Sequence, residues 1–360
     1  MNRRCHDLLA VLRKPARMTA LSLAQWDRLL PQARAAGLLA RLAVLAEDLD
    51  LSAELPPPVR PHLTAARTLA ERQRRAVLWE ACKLDAALAT TGMPVLLLKG
   101  AAYVLGELPP ARGRLFADID ILVPKDRLGE AEARLMLHGW HATRHSDYDQ
   151  RYYRDWMHEL PPMTHLRRGS HLDVHHNLLP ETARLKTRPE RVIEAAQPLP
   201  GYRCLRLPAL EDLVLHSATH LFHEGEWQHG LRDLTDLDAL LRLGAARSDW
   251  WPALLERARQ LNLVDPLALA LRYTRRLLAT PVPAAVLPEV SKSTSRLTWP
   301  LRDALFLRGF ATAHADCRLP GTRPAAFLLY VRAHALRMPL RLLLPHLVYK
   351  ATRRREKATP

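Results

Sequence analysis

Asp118 and Asp120 are the first residues of this sequence whose type and spacing could do chemistry. They lie in the stretch 117–123, where polar and apolar residues alternate as in a β-strand, so both carboxylates face one side of the strand. Two carboxylates this close repel each other unless a cation lies between them. A hard divalent ion such as Mg²⁺ takes oxygen ligands and binds substrate phosphates, so it fits this arrangement. The pair predicts a divalent-cation site, although two solvated acids on an edge strand would give the same pattern.

A third carboxylate and a basic residue add to this candidate site. Asp173 lies in a second alternating stretch, 170–176, and an isolated aspartate on a half-buried strand opposes β propensity. If the two strands are neighbours, Asp173 completes a cluster of three carboxylates that can hold two metal ions. His175 shares the face of Asp173, either as support for the site or as a structural histidine. Lys99 and Gly100 lie where a strand gives way to a helix, a position whose free N–H groups favour phosphate.

Apolar patterns predict the elements that carry these residues. The continuous apolar run 95–98 follows a Gly-Met-Pro turn and is typical of a buried strand. A short helix over 101–105 and a Pro/Gly/Arg loop lead to the strand at 117–123. A helix is predicted over 124–138, because apolar residues recur there at helical spacing between a proline and a glycine. Further strands are predicted at 140–144, 152–157, 163–167 and 171–176.

Helical patterns flank this region on both sides. Residues 1–90 show apolar residues at helical spacing, with breaks expected at Pro31 and Gly37. The helical period returns at Leu210 and continues into the tail. The predicted fold class is therefore α+β. Its three parts are an N-terminal helical region (1–90), a core with a small mixed β-sheet and helices (91–206), and a C-terminal helical lobe with a basic tail (207–360).

Composition and charge set bounds on the class of protein. The chain of 360 residues has 53 Lys and Arg against 37 Asp and Glu, a net charge of +16 at pH 7. Eight of the basic residues fall in the tail, 326–360, against one glutamate. Such basicity permits RNA, a membrane surface or phosphate as a partner and proves none of them. We predict a docked helix with a solvated basic end for the tail.

The cysteines and the apolar runs bear on where the protein works. The four cysteines lie far apart without a Cys-x-x-Cys pair, which argues against a zinc ribbon or a disulfide framework and fits a reducing cytoplasm. The first residues lack the pattern of a signal peptide. No uncharged apolar run approaches the ~20 residues that span a bilayer. The prediction is a cytoplasmic protein without an integral membrane segment.

Several segments, taken together and in order, resemble a known family. Over roughly residues 93–245 the sequence resembles the uncharacterised nucleotidyltransferase family of the DNA polymerase beta-like superfamily. The segments that carry the resemblance include LKGAA at 98–102, RLFADIDILV at 114–123, HELPP at 158–162, LDVH at 172–175 and LRDL at 231–234. The resemblance implies a nucleotidyltransferase-type fold. It also implies transfer of a nucleoside monophosphate from an NTP to an acceptor, with release of pyrophosphate.

The resemblance further implies roles for individual residues. The catalytic residues, which would also bind Mg²⁺ or Mn²⁺, are Asp118, Asp120 and Asp173. The residues that would contact ATP or another NTP are Lys99, Gly100, Arg114, His216 and His220. The two histidines could instead bind zinc together with His223, because the three share one face of a predicted helix. One departure concerns the triphosphate, because Ala101 follows Gly100 where the superfamily commonly has a serine that contacts the phosphates.

Three functions remain open at this stage. The first is an enzyme that acts on a hydroxyl or phosphate of an unknown acceptor, with a small molecule favoured. The second is an enzyme that modifies RNA or a tRNA end, as some related toxins do, which the basic charge supports weakly. The third is a catalytically silent nucleotide-binding module, against which the presence of all three aspartates argues.

Overall fold

A seven-stranded mixed β-sheet forms the centre of the fold in the computed structural model of this chain. The structure describes residues 6–143, 147–223, 225, 227–291, 298–311, 313–339, 341 and 343. The strands are β1 (Val95–Leu98), β2 (Ile119–Leu122), β3 (Trp140–Ala142), β4 (Met163–His165), β5 (His171–His175), β6 (Gln197–Pro198) and β7 (Leu205–Leu207). Their order across the sheet is β3-β4-β5-β2-β1-β7-β6. The α+β class predicted from the sequence is confirmed.

Helices surround this sheet and make up both ends of the chain. Those before or within the sheet region are α1 (His6–Arg13), α2 (Leu23–Ala35), α3 (Leu39–Asp48), α4 (Arg60–Leu88), α5 (Lys99–Leu105), α6 (Leu128–Leu137), α7 (Asp147–Arg151) and α8 (Pro189–Ala195). Those after it are α9 (Leu210–His223), α10 (Gly230–Gly244), α11 (Trp250–Gln260), α12 (Val264–Leu278), α13 (Val286–Ser291), α14 (Trp299–Gly309) and α15 (Thr322–Arg337). In the described residues no single helix is long and apolar enough to cross a membrane. One bent pair of helices, α2 with α3, has the length and composition of a membrane span, and only these two properties speak for it.

The two central strands bring the candidate carboxylates together. β1 is buried along its whole length, as its four consecutive apolar residues require. β2 pairs with β1 in antiparallel and with β5 in parallel orientation. In the β2–β5 pair Asp120 is the direct partner of Asp173. Because directly paired residues on neighbouring strands project to the same face, these two carboxylates lie side by side.

The strand and helix predictions are largely confirmed, and two are wrong. Residues 152–157 were predicted as a strand, but Tyr152–Trp156 forms a π-helical turn. The rings of Tyr152 and Trp156 meet edge to face there, so these aromatic residues contact each other along one helical face instead of across a sheet. Pro31 does not end a helix and lies inside α2. Trp26 and Ala33 are buried on either side of it, so packing maintains the helix across the proline.

One hydrophobic core connects the helical and sheet regions. A continuous cluster of buried residues extends from Leu8 in α1 through the sheet to Leu329 in α15. Trp250 is fully buried in it. The boundaries near 90 and 206 stay predictions. α15 docks through Ala325, Leu329 and other buried residues, while the basic residues beyond 343 lie outside the described part of the chain.

The cysteines differ in part from the sequence prediction. Cys82 and Cys204 are free thiols. Cys317 is disulfide-bonded, which the wide spacing of the cysteines did not predict. Spacing along the chain carries no information about which thiols the fold brings within bonding distance.

Candidate active site

Asp120 is the buried centre of the candidate site. Its Oδ1 accepts hydrogen bonds from Nζ of Lys99 at 3.1 Å and from Nε2 of His175 at 3.0 Å. Burial opposes ionisation, but the charge of Lys99 and the hydrogen bond from His175 hold the pKa of Asp120 well below its usual value. Asp120 is therefore a carboxylate at neutral pH.

Lys99 reaches Asp120 from a backbone conformation that residues other than glycine rarely adopt. It is the first residue of α5 and has a φ of 44°, in the left-handed region. That conformation costs a non-glycine residue roughly 1–2 kcal/mol. Strain of this kind persists only where the surrounding structure enforces it, and it concentrates at functional sites. The strained junction places the ammonium group against the carboxylate.

The other two predicted aspartates flank Asp120. Asp118 is exposed to solvent at the start of β2, and Asp173 is half-buried beside Asp120. Desolvation and then repulsion by Asp120 raise the pKa of Asp118. The same two effects, joined by the charge of Glu159, raise the pKa of Asp173 to about 7. The three carboxylates thus repel one another, as like charges in a shared site do.

The three aspartates are near one another but are not drawn to a single point. Among the described residues the only group of three or more His, Cys, Asp or Glu residues with all ligand atoms within 4.8 Å is His158, Glu159 and His175. The side chains of the three aspartates are therefore spread more widely than that group. Asp120 also forms an ion pair with the ammonium group of Lys99.

A cavity of about 380 Å³ opens beside Asp118 and Asp120. Its volume is in the range of small-molecule sites. Its charged lining residues are Lys99, Arg114, Asp118, Asp120, Arg232, Asp233 and Asp236, and its other lining residues include Gly100, Tyr103, Ser217 and His220. Tyr103 and Ser217, which the sequence analysis missed, share a 2.5 Å hydrogen bond in its wall.

The arginines of this cavity are paired with aspartates of α10. Arg114, predicted to hold phosphate, forms an ion pair with Asp236 and lies 3.5 Å from Asp233. Arg232 donates from Nε to Asp233 at 2.8 Å. Asp236 is also held by Nη2 of Arg41 at 3.1 Å. With Asp233 and Asp236 of α10, the cavity lining holds four aspartates against three basic residues.

The predicted histidines lie on α9 at different depths. His220 lines the cavity, whereas His216 is buried behind it, and their ring centroids are 6.5 Å apart. Burial and then the nearby Lys99 charge hold the pKa of His216 well below its usual value. Nδ1 of His223 donates to the carbonyl oxygen of Thr219 at 3.2 Å. In the described residues the three histidines do not form a metal-sized group, so the structure offers nothing for the zinc alternative.

No role was assigned from the sequence to His158 and Glu159, which lie in the HELPP segment. In the structure both lie beside His175. Oε2 of Glu159 lies 3.3 Å from Nδ1 of His175. Burial opposes protonation of His175, but its hydrogen bond to Asp120 and the charge of Glu159 raise its pKa. No sequence spacing indicated this contact, because it depends on an isolated antiparallel bridge between Glu159 and His175, the last residue of β5.

Comparisons with known proteins bear on this site. Residues 22–279 match the family described as uncharacterised nucleotidyltransferase. The comparison with curated proteins finds no match. Among solved structures, the chain is similar to the antibiotic-resistance factor ANT(2'')-Ia in solution, at 20% identity over 52% of this chain and 99% of that one, with a TM-score of 0.30. It is also similar to crystalline ANT(2'')-Ia in complex with adenylyl-2''-tobramycin, at 15% identity over 64% and 97%, with a TM-score of 0.25.

Proposed function

The chain belongs to the uncharacterised nucleotidyltransferase family, and from that premise we propose that it transfers a nucleoside monophosphate from an NTP to a hydroxyl group of a small-molecule acceptor. Pyrophosphate is the leaving group. The observation that carries the proposal is the direct pairing of Asp120 with Asp173 beside a cavity that Asp118 also lines. Paired carboxylates next to basic residues are what transfer of a phosphate-bearing group requires.

The residues present fit the divalent cation that such a reaction needs. Asp118, Asp120 and Asp173 offer only oxygen ligands, which Mg²⁺ and Mn²⁺ prefer. Their mutual repulsion would be relieved by a cation, and Lys99 already holds one positive charge against Asp120. When bound, the metal supplies charge neutralisation for the triphosphate and lowers the pKa of the attacking hydroxyl.

The cavity supports a nucleotide that enters together with its cation. Lys99 and Arg114 would hold phosphate oxygens, and Gly100 lines the cavity beside them. Both side chains are paired with carboxylates, and the cavity lining holds four aspartates against three basic residues, so a bare triphosphate would meet more negative than positive charge. His220 would contact the nucleotide from α9, and the buried His216 would support it. The missing serine hydroxyl at Ala101 leaves this contact to Lys99 and the backbone.

The acceptor has room on the other side of Asp118. A second cavity of about 150 Å³ is lined by Asp118 and by polar residues that include Gln73, Glu80, Ser170 and His171. A hydroxyl group there would lie between the nucleotide cavity and β5. The carboxylate of Asp173 would accept its proton as the oxygen attacks the α-phosphate. Two cavities that share one catalytic aspartate suit a two-substrate transfer.

Incorporation of label tests the proposal directly. The full chain is incubated with each α-labelled NTP, Mg²⁺ or Mn²⁺, and a cell extract separated into RNA and small molecules. We expect metal-dependent label in the small-molecule fraction, lost in Asp173→Asn and retained in Asp27→Asn, a matched change on the exposed face of α2. Label in the RNA fraction would replace the small-molecule acceptor with RNA. Metal-dependent NTP binding without any label would favour a catalytically silent module.

A further inference from the structure

His158, Glu159 and His175 form a cluster of potential metal ligands next to the aspartates. Each offers one ligand atom, and the three atoms lie within 4.8 Å of one another. Both histidines are buried, with exposed fractions of 9% and 4%. Two imidazoles and a carboxylate in such proximity are a donor set that differs from the all-oxygen set of Asp118, Asp120 and Asp173. Such a mixed set suits a transition metal better than Mg²⁺.

The backbone fixes this cluster. The segment around Glu159 pairs with the end of β5 through an antiparallel bridge between Glu159 and His175. Leu160 donates its N–H to the carbonyl oxygen of Val174 at 2.9 Å, and His176 donates to that of His158 at 2.8 Å. These bonds lie on either side of the bridge. The ligands therefore project from a paired, ordered backbone, which is how a rigid metal site is built.

The spacing of two of the ligand atoms matches that of two ligands of a tetrahedral ion. Nδ1 of His175 and Oε2 of Glu159 are 3.3 Å apart. Two ligands that each lie about 2.0–2.1 Å from a tetrahedral zinc ion are about 3.3 Å from each other. This separation exceeds the usual length of an N–H···O hydrogen bond, about 2.7–3.2 Å. The pair is thus set at the distance of two ligands of one ion.

The opposite side of the His175 ring carries a second feature of metal sites. Nε2 of His175 lies 3.0 Å from Oδ1 of Asp120. A histidine that binds metal through one nitrogen almost always donates its other N–H to a carboxylate or carbonyl group, which fixes the tautomer and ring orientation. Asp120 provides that acceptor here. His175 would therefore bind through Nδ1 and donate through Nε2.

We propose that His158, Glu159 and His175 bind one Zn²⁺ ion, separate from the ions of the three aspartates. Two histidines and one glutamate are an established zinc ligand set, with a fourth position left for water or another ligand. Because His175 joins this site to Asp120, bound zinc orients the carboxylate at the centre of the active site. Zinc binding itself does not require nucleotidyl transfer, so the two proposals fail independently.

Metal titration of the full chain tests the site without any activity measurement. The protein is stripped with a chelator, then titrated with Zn²⁺ against a chromophoric competitor and with Co²⁺ while its visible absorption is recorded. We expect one Zn²⁺ per chain and the intense visible bands of four-coordinate Co²⁺. Glu159→Gln and His158→Gln should lower the affinity by more than about a hundredfold, and Asp120→Asn by about 10- to 100-fold. His138→Gln, an exposed histidine, should change nothing.

Two controls separate this site from its alternatives. The double variant Asp118→Asn/Asp173→Asn should keep its zinc. If it loses zinc while Glu159→Gln retains it, the ion belongs to the aspartates and the proposal is overturned. The proposal is also overturned if the wild type binds no zinc at micromolar concentration, and His175 and Glu159 then form a simple ion pair. Melting in chelator shows whether each variant folds. If Glu159→Gln does not fold, Glu159→Asp, which keeps the carboxylate, takes its place in the titration.

Discussion

Acidification from pH 7 to pH 4 should cost the fold about 3 kcal/mol through one side chain, His223 on α9. Burial, and then the charge of Arg332, lowers the pKa of this histidine to about 4, below the usual 6.5. Above pH 6.5 both folded and unfolded states hold it neutral, so its contribution to stability is complete. As the pH falls towards 4 the unfolded chain takes up the proton first, and stability is lost. A difference of about 2.5 pKa units at 1.36 kcal/mol each gives about 3 kcal/mol.

The charged groups around His223 support that direction. The positive charges of Arg332 and Arg337 on α15 oppose protonation of His223, and the negative charge of Asp265 on α12 offsets them only in part. The assay is urea unfolding of the wild type, His223→Gln and His62→Gln between pH 7 and pH 4. The amide introduced by His223→Gln keeps a donor for the carbonyl oxygen that the imidazole contacts, and His62 is exposed, so its replacement is a matched control. We expect a flatter pH dependence only in His223→Gln; parallel curves for all three proteins would refute the reasoning.

Three further predictions concern the site and its supporting helices. Asp173→Asn should still bind NTP with metal but lose transfer by several orders of magnitude, whereas Asp118→Asn and Asp120→Asn should lose both; equilibrium binding and labelled-product assays separate the two effects, and near-normal transfer by Asp173→Asn would contradict the three-aspartate mechanism. The melting temperature should rise with an NTP only when Mg²⁺ or Mn²⁺ is present; a rise of equal size in chelator would show that the triphosphate needs no metal. Asp212→Asn should cost about 3 kcal/mol in urea unfolding, because the amide keeps only one of the two oxygens that accept hydrogen bonds from Arg257 at 2.6 and 2.8 Å and removes the negative charge that pairs with this arginine; the exposed Asp249→Asn is the control.

The sequence predicted well those parts of the fold whose patterns are local. The continuous apolar run of β1 and the polar–apolar alternation of β2 and β5 placed the three central strands, although β1 and β2 are buried on both faces and only β5 has an exposed residue. β6 and β7 were missed, since two and three residues are too few for a period. β7 nevertheless pairs with β1 in the sheet. Its strand state is imposed by that neighbour and not by its own residues.

The sequence indicated the three carboxylates of the candidate site but not the residues that pair with them. The type and spacing of Asp118 and Asp120 are legible in one strand, but the pairing of Lys99 with Asp120 and of Arg114 with Asp236 is not. Arg114 was predicted to hold phosphate, and the structure shows it already engaged by an aspartate of α10. Glu159 reaches His175 through a bridge that no local pattern indicates. Ion pairs between distant segments depend on the whole fold, which spacing along the chain does not contain.

The parallel pairing of β2 with β5 bears on the order in which parts of the protein can fold during synthesis. Asp120 and His175 touch although 55 residues separate them, and β1 pairs in parallel with β7 about 110 residues later. Contacts this distant form slowly, because a long loop must close before any bond repays its entropy. During synthesis the strand that carries Asp120 therefore emerges well before its partners. A nascent chain cannot bring Asp120 and Asp173 together until β5 has left the ribosome, and β1 lacks its parallel partner until β7 follows.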